Sequence, residues 1–280
     1  ESGTESESDT ESDGSIVVLE RFSLGCFRHF ENRSSRHRMV VLSGFTAGQN
    51  FTSRAQTLAS SYDVYLYTCD QCPYPSKVES EHPSVRLSKL AEFMADALVD
   101  LPKKPLIIQS ISGGGVLGIE LLRKLEGRCQ VDLMFCCAAQ NPDHLALTNF
   151  HKGLSLEFET YVERVEMAFH GSGHFLRRYV IDSAFCSLTQ LGPLKFEVPC
   201  LYLFPEDEDM FLEKDVKAYF EDHFSEFEFK KVVGDHMTVA YSMPAYDNYI
   251  KLMLEAWFEM KLIRIEDLKR QRLAFAPTAN

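Results

Sequence analysis

The sequence predicts an α/β fold with a mainly parallel central sheet, helices on both faces and an inserted helical lid. From residue 16 onward, short apolar runs alternate with stretches of helical periodicity, the pattern of parallel strands joined by crossover helices. Pro105–Gln109 and Val131–Cys137 are apolar almost throughout, as strands covered on both faces are. One connection, of about sixty residues between the Val131 and Pro199 runs, far exceeds the few residues usual in such units and reads as an insertion.

Taken in order, Ile16–Leu19 and Met39–Leu42 read as strands, followed by the glycine-containing loop Ser43–Gly48. Asn50–Ser60 is a predicted helix and Val64–Tyr67 the next strand. Leu87, Leu90, Met94, Ala97 and Leu98 mark the buried stripe of a helix that ends before Pro102, because proline cannot continue it. After Pro105–Gln109 the chain turns sharply through Ser110–Gly115, and Val116–Leu125 forms a helix closed by Gly127. Strands are expected at Val131–Cys137, Pro199–Phe204 and Phe227–Val233, and a closing helix at Tyr246–Lys261. The lid, about residues 142–197, carries Phe158, Tyr161, Val162, Val165 and Phe169 at helical spacing. Most of these side chains serve packing, while Phe158, Val162 and Phe169 are the candidates to face an acyl chain.

Composition narrows the partners. A net charge of −12 argues against nucleic acid, whose phosphates require a surplus of Lys and Arg. Residues 1–15 hold six of the acids and no apolar side chain, so they are expected to be a disordered linker to a single domain spanning 16–280. The chain starts at Glu1 rather than Met, as expected of a piece of a longer protein whose acidic tether joins the domain to a larger assembly. No window approaches the roughly 20 apolar residues of a membrane span. The eight cysteines form no disulfide framework and suit buried thiols of a reducing, cytoplasmic compartment. Cys69 and Cys72 have metal or redox spacing but lack a second pair, so they read as loop residues and no metal site is expected.

The chemistry concentrates at two places. A serine hydroxyl needs a base to take its proton, and a strand-to-helix turn lifts the hydroxyl clear of the sheet to meet one. Ser112 occupies such a turn, with Gly114 two residues later and Ser110, not glycine, two before. The helix start then offers the Gly113 amide to a developing oxyanion. A second donor is expected from the loop after the Met39 strand, at Thr46 or Phe45. His236 follows the last predicted strand in Val232–Thr238, where the chain order serine, acid, histidine puts the base.

On these residues the chain resembles the thioesterase domains that end nonribosomal peptide, polyketide and fatty acid synthases, and their stand-alone editing relatives, all α/β-hydrolases. Ser110–Gly115 and Leu125–Gly127 are similar to the family's Gly-His-Ser-x-Gly-Gly turn and the end of its helix, and Gly234–Ala240 to its Gly-Asp-His-Phe-x-Met-Leu segment. Ser43–Gly48 is similar to its oxyanion loop in the small residues and last glycine. The resemblance covers about Ile16 to Phe258.

It implies acyl transfer from a thioester on the phosphopantetheine of an acyl or peptidyl carrier domain to Ser112, then release by hydrolysis, cyclisation or transfer, with no bound cofactor. Other uses of the same fold are a carboxylesterase or lipase acting on oxygen esters, and a catalytically degenerate acyl-binding module. Many family members place the triad acid after the nucleophile helix, on a strand that here ends Cys136–Asn141 without one. The alternative position, after the next strand, offers Glu206, Asp207, Glu208 and Asp209. Asp209 is the expected acid, since the helix that follows keeps the family's offset to an aromatic at Phe220, and Asp207 stands next. At least two of the four acids are expected to be solvated.

Overall fold

The computed structural model describes residues 19–23, 27–43, 49–67, 83–140, 195–209, 211–240 and 244–274. The expected tail, 1–15, and the expected lid, apart from 195–197, lie outside them.

Eight strands form one sheet: β1 (Leu19–Ser23), β2 (Phe27–Glu31), β3 (Arg38–Leu42), β4 (Asp63–Tyr67), β5 (Leu106–Ile111), β6 (Val131–Cys137), β7 (Cys200–Asp207) and β8 (Phe227–Asp235), in the order β1-β2-β4-β3-β5-β6-β7-β8. The pairs β1–β2 and β2–β4 are antiparallel, and all the others are parallel. The described helices are α1 (Gln49–Ala59), α2 (Pro83–Val99), α3 (Gly114–Leu125), α4 (Glu213–His223), α5 (His236–Ala240) and α6 (Pro244–Ala274).

The central strands are apolar because both of their faces are covered. Every residue of β3, β4 and β5 is buried. Val40, Leu42, Ile108, Met134 and Tyr202 join side chains of α2, α3 and α4 in one core. Met39, Val41, Ile107, Phe135 and Leu203 join α1 and α6 in the other. Adjacent residues of a strand thus feed opposite cores. Along α2, Leu87, Leu90, Met94 and Leu98 are buried as expected, whereas Ala97 is only half-buried and Ala91 and Ala95 complete the stripe.

Three elements depart from expectation. Strand β2 was not foreseen, since Phe27–Glu31 carries Arg28 and His29 between its two buried phenylalanines. It is antiparallel and near the sheet edge, where one face need not be apolar. Strand β1 runs past the expected Ile16–Leu19 strand to Ser23, its register with β2 going from Leu19↔Glu31 to Ser23↔Phe27, while residues 16–18 lie outside the described ones. Helix α6 continues thirteen residues past Lys261 to Ala274, as no proline or glycine interrupts it before Pro277. Among the described residues, no helix is long and apolar enough to cross a membrane.

The parallel strands all point their C-terminal ends the same way. The turn after β5, the segment after β7 and the start of α5 after β8 therefore converge on one edge of the sheet.

Candidate active site

Ser112 lies between β5 and α3 with φ 48°, in the left-handed region that costs a side chain about 1–2 kcal/mol. Its backbone is clamped. The Ser112 amide donates to the Cys137 carbonyl at 3.2 Å, and the Ser112 carbonyl accepts from the amides of Gly115, at 2.9 Å, and Gln140, at 2.8 Å. The clamp requires α3 to start against bare backbone. A Cβ at Gly114 would lie 2.5 Å from the Leu42 carbonyl oxygen, and one at Gly115 would overlap the Gln140 backbone.

The serine at position 110 is also explained by packing. Ser110 is fully buried, and its Oγ occupies the space that a Cβ at Gly118, one turn into α3, would need. Here the helix lacks a side chain at 118, and Ser110 fills that space, whereas turns of this kind lack one two residues before the central serine.

Across the sheet edge, Ser112 Oγ lies 2.9 Å from His236 Nε2, and His236 Nδ1 lies 2.9 Å from Glu208 Oε2. An ionised carboxylate only accepts, so Nδ1 carries the proton it donates to Glu208. Nε2 is then left with a lone pair facing the serine hydroxyl. Both side chains are shielded from water, His236 being 3% exposed and Glu208 0%. The Phe211 ring stands edge-on to the imidazole with centroids 5.3 Å apart.

His236 is presented by a built turn. Gly234, with φ 118°, bends the end of β8, and Asp235 caps α5, its Oδ1 accepting from the Thr238 amide at 2.8 Å and the Thr238 hydroxyl at 2.6 Å. These Thr238 hydrogen bonds hold the Asp235 carboxyl below its ordinary range.

No model of a known protein family matches this sequence, and no curated protein matches it. Solved structures do. The type II thioesterase BorB from the borrelidin biosynthetic cluster superposes with a TM-score of 0.55 and 18% identity, covering 78% of this chain and 90% of that one. The RedJ thioesterase from the prodiginine pathway of Streptomyces coelicolor gives 0.55 and 16%, covering 79% and 90%. YbtT, the type II thioesterase from the yersiniabactin NRPS/PKS pathway, gives 0.56 and 15%, covering 80% and 94%. The chain has the α/β-hydrolase fold.

The carboxylate that meets His236 lies in the expected segment after β7, but it is Glu208 rather than Asp209 or Asp207. Asp207 pairs with Asp235 in the β7–β8 register and is exposed, as are Asp209 and Glu206. Only Glu208 turns inward. The β7–β8 register shifts between Pro205 and Asp207, so simple alternation does not run through this segment, and Glu206, two residues before Glu208, is exposed. Glutamate serves as well as aspartate in hydrolase triads, so residue type did not separate the four acids.

Gly113 sits as expected at the start of α3, with φ −56°, where no intrahelical acceptor exists for its amide. Phe45, Thr46, Phe158, Val162 and Phe169 lie outside the described residues, as do Asn141, Cys69 and Cys72. Phe211, Asp235 and Gln140 were missed as parts of the site. An aspartate three residues before a threonine at a helix start is a legible cap, whereas Phe211 and Gln140 carry no local signal.

The described cysteines Cys136, Cys137 and Cys200 are free and buried, and Cys129 is half-buried. Burial pushes the Cys137 thiol up to about 12, which leaves it without nucleophilic thiolate at neutral pH.

Proposed function

We propose that this chain transfers acyl groups through an acyl-Ser112 intermediate, taking them from a thioester on the phosphopantetheine arm of a carrier domain. The observation that carries the reading is the continuous hydrogen-bond chain from Ser112 Oγ through His236 to the buried Glu208, built on a serine in a strained, clamped turn.

In the first half, Ser112 Oγ attacks the thioester carbonyl carbon while His236 Nε2 takes its proton. Glu208 holds the imidazole in the correct tautomer and stabilises the imidazolium. The Gly113 amide donates to the tetrahedral oxyanion, with a second donor from Phe45 or Thr46. Each such donor contributes about 10²–10³-fold to rate. Collapse expels the thiol, which receives the proton from His236. In the second half, water or another nucleophile is deprotonated by the same Nε2 and attacks the acyl carbon, and Oγ leaves with the proton restored. The type II thioesterases that share the fold favour a thioester substrate and hydrolysis as the release step.

The test is intact-mass analysis after incubation with short acyl thioesters. A mass increase equal to the acyl group is expected on the wild type and not on Ser112→Ala. Ser110→Ala, altering a buried hydroxyl beneath Gly118, should stay within about tenfold of wild type, about 1.4 kcal/mol of barrier. Acylation mapped to Ser110, or an adduct that survives Ser112→Ala, would overturn the assignment. Faster turnover of oxygen esters than of matched thioesters would move the substrate class to esterase.

A further inference from the structure

A single buried guanidinium joins three elements behind the histidine. Arg54 belongs to α1, the helix that follows the Ser43–Gly48 loop, and is fully buried. Its Nε donates to Asp247 Oδ1 at 2.7 Å, in the first turn of α6, and both side chains of this ion pair are 0% exposed. Its Nη2 donates to the Val239 carbonyl at 3.2 Å. Val239 lies in α5, three residues after His236.

A helix of five residues cannot fix its own orientation, since nucleation alone is unfavourable. Its last carbonyls have no intrahelical partner, and a cation there suits both their hydrogen bonding and the helix dipole. The core cluster that α1, α5 and α6 share, with Phe51, Ala55, Leu58, Val239, Ile250 and Leu254, is apolar, and apolar packing is non-directional, whereas a planar guanidinium binds its acceptors at set angles. Buried ion pairs also add little stability over an apolar replacement, so stability alone does not account for one here.

We propose that Arg54, itself held by Asp247, is a positioning residue: it fixes the α5 backbone at Val239 and so keeps the His236 imidazole in line between Ser112 Oγ and Glu208. The inference rests on the reading of Ser112 and His236 as nucleophile and base. Arg54 touches no reacting atom in this scheme. It acts through the helix that carries the base, and it ties that helix to the one leading out of the expected oxyanion loop.

Three proteins test it: wild type, Arg54→Lys, and Arg54→Met/Asp247→Val, which removes both charges of the pair together. Each is first checked for a cooperative melt. Two readouts follow, the rate of fluorophosphonate labelling at Ser112 and the downfield proton resonance of His236 Nδ1 against Glu208. In the folded double variant, labelling is expected to slow about 100-fold, as misplacement of a reacting group by an ångström does, and the Nδ1 resonance to broaden or move upfield. Arg54→Lys keeps the pair with Asp247 but loses the fork, and should slow about tenfold; it decides the matter if the double variant does not fold. Wild-type labelling and an unchanged resonance in a folded variant would reduce Arg54 to packing. If the wild type itself is not labelled, the acyl-serine reading fails, and the resonance still reports whether Arg54 positions the ring.

Discussion

Two of the histidine–carboxylate pairs among the described residues sit at opposite ends of the same sheet, and only one of them faces a serine hydroxyl. At the C-terminal ends of the strands, His236 meets Glu208 at 2.9 Å and turns its other nitrogen to Ser112 at 2.9 Å. At the N-terminal ends, His29 Nε2 meets Asp63 at 2.7 Å, with its ring stacked on Tyr65 at 4.2 Å between centroids. Asp63 is shared further, with the Asn32 amide at 3.3 Å, Arg38 at 3.7 Å and Lys104 at 3.8 Å. Burial works against its ionisation, but hydrogen bonds from His29 and Asn32 and the charges of His29 and Lys104 outweigh it and hold the carboxyl below its ordinary range. The pair alone is thus a structural device. A base arises when the carboxylate orients a histidine whose free nitrogen faces a nucleophile that the backbone holds in place.

The largest contrast should come from the histidines. His236→Ala is expected to lower acyl-thioester turnover on the order of 10⁶-fold, as loss of a triad histidine does, while His29→Ala stays within about threefold per folded molecule. Comparable losses in both, measured as kcat/KM on folded protein, would erase the distinction.

Next come the carboxylates. Glu208→Gln keeps shape but inverts the hydrogen bonding to Nδ1, and should cost about 10⁴-fold in kcat. Asp207→Asn and Asp209→Asn are expected to change it by less than about threefold, both being exposed. A larger loss at Asp209 than at Glu208 would return the acid to the position expected from the sequence.

A smaller effect tests how the serine is held. Gly118→Ala would drive a methyl group into Ser110 Oγ and should destabilise by about 1–3 kcal/mol in denaturant titrations. In a Ser110→Gly background the same change should become neutral or favourable, since alanine is the better helix former by about 1 kcal/mol. Equal penalties in both backgrounds would show that the two side chains do not compete for this space.

The smallest is a pH effect at the other pair. The depressed Asp63 group contributes stability that is present above its unfolded pKa of about 3.9 and is lost as pH falls through the lower folded value. The stability difference between wild type and Asp63→Asn should therefore be constant near neutrality and shrink below about pH 4, with activity at neutral pH unchanged. A difference that persists into acid would assign the Asp63 effect to packing.

Short-range physics made much of the fold legible along the chain. Short, nearly continuous apolar runs bounded by turn residues read as strands covered on both faces, so β3 to β7 were legible, and so was the strand–serine–helix turn, because the glycines and a helix start are local chemistry. His236 was legible from its place after the last strand and a preceding glycine. Strand β2 was not, because Phe27 and Phe30 flank Arg28 and His29, and only pairing with β4 at the sheet edge makes that pattern extended.

Tertiary structure alone decided the rest. It chose Glu208 among four adjacent acids, because the direction in which a side chain leaves a strand end depends on where β7 stops and on its register with β8. It explained Ser110 through Gly118, two residues that meet only when α3 folds back on β5. It also brought Arg54, Val239 and Asp247 together across about 190 residues; each is unremarkable in the sequence, and only the packing of α1 against α5 and α6 turns them into one contact.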